Sequence, residues 1–261
     1  MSAPSPTGKT PDQAVSSAPP LSLTERRKAE TRMEIARAAA RLFVSQGLRA
    51  TRAEDIAQAA GIAPRTFYRY FATKEEAIAP LYAAGARRWA EAVREAPAGL
   101  GVPEALEHAV RHTLTPGVGV SAASWEWVRT LICLAHSSPG VRKVWAEVCQ
   151  ESERTLAEVL TARTTSGSGT RAPGAPAGTS APGAPGPGAP AQGGDNVGTE
   201  ASATPELRFT AAVASAAVRV AVESWASGKA RASGAAGPAA LALRNLEALR
   251  GFSWGVGAGE G

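Results

Sequence analysis

Cysteine is scarce. Cys133 and Cys149 are the only two in 261 residues, too few and too far apart for a disulfide framework or a zinc-ligand spacing. They read as small buried apolar residues in a reducing compartment. Nowhere is there a run of roughly 18 apolar residues, the length a membrane-spanning helix needs. The first twenty residues are rich in Ser, Pro and Ala and lack the apolar stretch of a signal peptide. The expectation is a cytoplasmic protein with no membrane partner. Convincing strand alternation and internal repeats are missing as well. No nucleophile–base–orienter set stands out in sequence order. Gly255-Val256-Gly257-Ala258-Gly259 lacks the flanking strand and helix of a phosphate loop. His108 and His112 have a metal-holding spacing on an expected helix, but no third ligand accompanies them, and His136 is alone. No metal, no cofactor and no enzymatic activity are therefore expected.

What the chain does have is a local basic excess. Between Leu21 and Lys74 there are eleven Lys and Arg against five Asp and Glu. From Glu75 onward sixteen basic side chains face seventeen acidic ones. The whole surplus behind the net charge of +5 thus lies in about one fifth of the sequence. Such a footprint suits a polyanion partner, or else marks a solvated helical face.

The patterning predicts an all-α chain. Residues 1–20 read as a disordered arm. Ile35, Ala38, Ala39, Leu42 and Phe43 form a helical stripe that Gly47 ends, with Leu48 expected to fold back on Phe43 in a Schellman motif. Thr51-Arg52-Ala53-Glu54 is expected to open a second helix as a capping box, ending at Gly61. A third short helix starts at Pro64 and ends near Tyr70. A second capping box, Thr73-Lys74-Glu75-Glu76, opens a fourth, which runs toward Glu95. Further helices are expected over 103–113, 122–136, from Pro139 to about 163, over 206–227 and over 238–250. From 164 to 205 there is no aromatic residue and one β-branched aliphatic, Val197. That composition buries too little apolar surface to offset ordering entropy and is expected to form a flexible loop. The domain reading is 21–73 for a three-helix unit, 74–251 for a larger helical domain interrupted by the 164–205 loop, and 252–261 for a tail.

Two short helices joined by a Gly-containing turn, inside the basic region, suggest a helix-turn-helix from Arg52 to Phe71. The first presents Ile56 and Ala57 inward and keeps Ala60 small at the crossing. The second buries Phe67 and Phe71, while Arg65, Thr66, Tyr68, Arg69 and Tyr70 point partly outward, suited to phosphates and base edges. Here the sequence resembles the TetR family of bacterial repressors. The resemblance rests on Ile35, Ala39, Leu42-Phe43 and Gly47; on Thr51, Asp55-Ile56-Ala57 and Ala60-Gly61-Ile62; and on Thr66-Phe67-Tyr68-Arg69-Tyr70-Phe71 with Lys74-Glu75-Glu76. It covers residues 26–80, with a looser match from Trp125 to Arg163.

The resemblance implies a homodimer on a double-stranded, near-palindromic DNA operator, associated with the nucleoid. A small apolar or amphipathic effector would bind the second domain and release it. Thr51 and Lys74, at helix starts, would bind phosphates. Arg65, Thr66 and Tyr68 would face the major groove and Tyr70 the backbone, with Arg52, Pro64 and Arg69 completing the surface. Arg26, Arg27 and Lys28 either reach a flanking groove or form a solvated helix start. Trp125, Val128, Ile132 and Trp145 are the candidate effector pocket; Trp127 and Trp225 either join it or are core. Where many relatives have Ser, Ala63 caps the third helix without a hydroxyl. Dimerisation is expected through 206–227 and 237–250. The rival reading, a ligand-insensitive interaction protein, expects a filled second domain.

Overall fold

A computed structural model describes residues 22–118, 121, 124–168, 203–252 and 254. The expected arm at 1–20 and most of the 164–205 loop and 252–261 tail lie outside them. Among the described residues the secondary structure is helical: α1 (Leu23–Gln46), α2 (Ala53–Ala59), α3 (Pro64–Tyr70), a 3-10 turn (Glu76–Ile78), α4 (Ala79–Glu95), α5 (Val102–Leu114), α6 (Trp125–Ser137), α7 (Pro139–Ser168), α8 (Pro205–Ser227) and α9 (Pro238–Ala248). None of these helices is long and apolar enough to cross a membrane.

The α1 stripe buries Ile35, Ala38, Ala39 and Phe43 against Ile56, Ala57, Phe67 and Phe71. Each such large apolar side chain stabilises the fold by roughly 1.5–3 kcal/mol on burial. The same core continues without a break into α6, α7 and α8 through Trp125, Ile132, Val141, Val144 and Trp225. The small helical unit and the larger one therefore share a core, with no seam at the expected boundary of residue 73. A second core holds Trp89 and Val93 of α4, Leu106 and Val110 of α5, Leu156 and Leu160 of α7, and Ala211 and Ala214 of α8. Leu246 of α9 closes it, and Trp254 packs there too, so the expected tail begins inside a core.

Several helix ends differ from their sequence reading. The Schellman motif expected at Gly47 occurs instead at Gly61. There the N–H of Ile62 donates to the Ala57 carbonyl (3.0 Å) and that of Gly61 to Gln58 (3.0 Å). Gly47 has a positive φ of 84° but an extended ψ of 153°, so it redirects the chain rather than wrapping it. Thr51 does not cap α2. The N-cap is Arg52, whose backbone N–H donates to Asp55 Oδ2 at 2.8 Å, one residue later than the expected box. The second box forms nearly as expected: Thr73 Oγ1 accepts from the Glu76 N–H, and the Glu76 carboxylate accepts from the Ala72 N–H. At the other end of the larger domain, α7 runs on to Ser168, so residues 164–168 are helix rather than loop. Hydroxyls of Thr164, Thr165 and Ser166 donate back to carbonyls of the preceding turn and substitute for solvent there.

Candidate nucleic-acid interface and adjoining cavity

The α2–α3 pair is held from beneath by aromatic burial. Phe67 is fully buried, and its ring meets Phe71 at 5.8 Å and the edge of Tyr68 at 5.5 Å. This leaves Pro64, Arg65, Tyr68 and Arg69 exposed on one face, with Thr66 and Tyr70 half-buried beside them. Ala63 is the N-cap of α3 and supplies no side-chain cap; Pro64 takes the first helical position. Glu54 on α2 joins that face. It accepts from the Tyr68 phenol (3.3 Å) and lies 3.6 Å from the exposed Arg52 guanidinium. Local desolvation, and then the Glu54 charge, raise the Tyr68 phenol above its ordinary value.

Two residues sit differently from expectation. Thr51 is fully buried and its hydroxyl donates to the Gly47 carbonyl at 2.9 Å. In this state it shapes the turn and offers solvent no hydroxyl. Lys74 stands in the turn before α4, not at a helix start. Its ammonium donates to the carbonyls of Leu48 (2.7 Å) and Thr51 (2.8 Å), leaving one of its three N–H groups. Arg32, which sequence reasoning passed over, reaches from α1 to the far end of α3. It donates to the Tyr70 carbonyl at 3.1 Å and lies 4.6 Å from the Phe71 ring centre. Arg26, Arg27 and Lys28 are exposed on the first turns of α1.

Between the two cores lies a cavity of about 860 Å³. Trp125, Val128, Ile132 and Trp145, the four residues expected to share a pocket, all line it, as does Trp127. Trp225 does not. It is core, with its indole N–H donating to Ala230 and Arg231 carbonyls and Arg129 stacked 4.2 Å from its ring centre. The Trp145 indole donates to Glu223 at 2.8 Å, and Glu223 pairs with Arg219 at 3.4 Å. Tyr82 donates to the Leu131 carbonyl at 2.6 Å, and burial raises its phenol far above the ordinary value. Cys149 also lines the cavity; burial above all pushes its thiol up to about 11.

Sequence reasoning missed the contribution of α1, whose Arg37 and Arg41 are at the cavity, and that of Trp89. Arg37 and Arg41 are spaced four apart, so one face was legible. What that face meets was not, because α1 had been read only as a scaffold for the helix-turn-helix.

Residues 35–78 match the family model described as "Bacterial regulatory proteins, tetR family". Over that segment the chain is similar to this family. The HTH-type transcriptional regulator TcmR of Streptomyces glaucescens is 33% identical over 147 residues, 54% of this chain. That alignment spans 63% of TcmR, somewhat under two thirds of its length. Among solved structures, the TetR-family repressor FadR of Thermus thermophilus, in complex with lauroyl-CoA, is 21% identical over 88% of this chain and 99% of its own, with a TM-score of 0.48. Salmonella enterica GusR is 20% identical over 85% of this chain and 95% of its own, with a TM-score of 0.46.

Proposed function

We propose that this chain is a regulator of the tetR type: a sequence-specific DNA-binding transcriptional regulator, a homodimeric repressor on a palindromic operator that a small apolar or amphipathic ligand releases. The observation that carries the reading is the pairing of an exposed Arg65–Tyr68–Arg69 face, buttressed by buried Phe67 and Phe71, with an 860 Å³ cavity reaching the same α1 that supports it. In this reading Arg65, Thr66 and Tyr68 meet base edges, while Arg52, Pro64, Arg69, Tyr70 and the remaining Lys74 N–H meet the phosphate backbone. Thr51 acts by shaping the turn. Two recognition helices would enter major grooves one turn apart, roughly 34 Å. The cavity favours a ligand-responsive regulator over a ligand-insensitive one, which expects that space to be filled. A ligand acts only through different affinities for the two dimer states.

The test is selection of bound sites from random DNA, followed by gel shifts with Arg65→Ala and Tyr68→Ala. Each variant is expected to lose about 1–3 kcal/mol at the bases it reads and to relax preference there. Unchanged preference in both would overturn the recognition-helix assignment.

A further inference from the structure

The cavity has an uneven electrostatic design. Its walls are apolar and aromatic, with Trp125, Trp127 and Trp145 among them. Among the described residues its charged lining is four arginines (Arg37, Arg41, Arg88 and Arg219) against one acid, Glu153. Arg219 is paired with Glu223, and Arg88 has a partner of its own. Arg37 and Arg41 are exposed, lie one turn apart on α1, and have no hydrogen bond or ion pair among the described residues.

Resting on the reading of this cavity as the effector site, we infer that its ligand is an organic anion: an apolar ring system against the tryptophan wall, its acid group held by Arg37 and Arg41. The placement has a mechanical consequence. These two arginines stand on the same helix as Arg32, which holds the Tyr70 carbonyl at the end of α3. An acid drawn onto Arg37 and Arg41 therefore pulls on the helix that positions the recognition helix. A neutral ligand of the same shape fills the cavity without that pull.

Two dyes with one ring system test this: 8-anilinonaphthalene-1-sulfonate and its neutral counterpart N-phenyl-1-naphthylamine, titrated by fluorescence against the full chain. In Arg37→Gln/Arg41→Gln the ratio of sulfonate to neutral affinity is expected to fall about tenfold or more, the size of a lost charged hydrogen bond. Arg37→Lys/Arg41→Lys should retain most of the ratio. Gly85→Phe serves as the cavity control: an added Cβ at Gly85 meets nothing within 4 Å, and the ring beyond it enters the cavity, so both dyes should be lost. An unchanged ratio in the Gln double variant, with both dyes still lost in Gly85→Phe, overturns the anion inference and leaves the cavity reading standing. Failure of both dyes to bind the unaltered protein, or indifference of both to Gly85→Phe, overturns the two together.

Discussion

Lys74 shows how a side chain assigned to one task from sequence carries another. Its ammonium ties the Leu48–Thr51 turn to the segment leading into α4 through two carbonyls. Hydrogen bonds to a charged group each contribute about 1.5–3 kcal/mol. Lys74→Met should therefore lower the melting temperature and weaken operator binding together, measured by calorimetry and gel shift. A loss of DNA affinity with an unchanged melting temperature would return Lys74 to a pure phosphate contact. Cys149 supports a second prediction at this scale. Burial raises its thiol from 9.0 to about 11, so at pH 8 it carries on the order of a hundredfold less thiolate than an ordinary cysteine. In a Cys133→Ser background, iodoacetamide labelling followed by mass spectrometry should be slow at pH 8 and climb only toward pH 11. The linkage has a definite sign. The unfolded thiol loses its proton near 9 and the folded one near 11, so Cys149 favours folding below pH 9, and that preference is lost as pH rises through 11.

At the scale of elements, α3 is the instructive case. Its bounds, Pro64 to Tyr70, were legible because proline suits the first helical position and Phe67 and Phe71 recur at helical spacing. Its weak start was legible too, since Ala63 has no oxygen to offer. Ala63→Ser should add a cap worth about 1 kcal/mol, raising the melting temperature by roughly 2–4 °C. A flat or falling value by differential scanning calorimetry would count against Ala63 as the cap. The α2 start was misread by one residue. Thr and Glu in Thr51–Glu54 satisfy the capping pattern as letters, but in the fold it is the Arg52 N–H that pairs with Asp55. Which pair wins depends on where the turn from Gly47 delivers the chain, and that is set by packing against α1. The end of α7 was misread for a related reason. Composition at 164–168 argues for loop, yet a long helix already propagating costs little to extend when the hydroxyls of Thr164, Thr165 and Ser166 bond back to it.

For the whole molecule, α8 sets the next question. Phe209 is 61% exposed and Val220 46% exposed on one face, while Ala211, Ala214, Ala217 and Ala221 are buried on another. Within one chain, α8 is therefore covered on only one of these faces. An open apolar stripe on a helix suits a subunit interface. Val220→Glu should give a monomer by analytical ultracentrifugation and lose most operator affinity, since two half-sites no longer bind as one unit. A dimer that survives this substitution would move the interface elsewhere.

Local properties of the chain determined the helical class, the helix-turn-helix bounds, the buried phenylalanines and four residues that share the cavity. Each of these follows from periodicity, capping chemistry or composition within a short window. Only the tertiary structure decided that Thr51 turns inward, that Lys74 and Arg32 grip the turns around α2 and α3, that Trp225 is core, and that Arg37 and Arg41 come to the cavity. Those depend on which faces of distant helices meet. A helix's own sequence specifies the direction of each side chain around its axis, and nothing about the neighbour that will stand there.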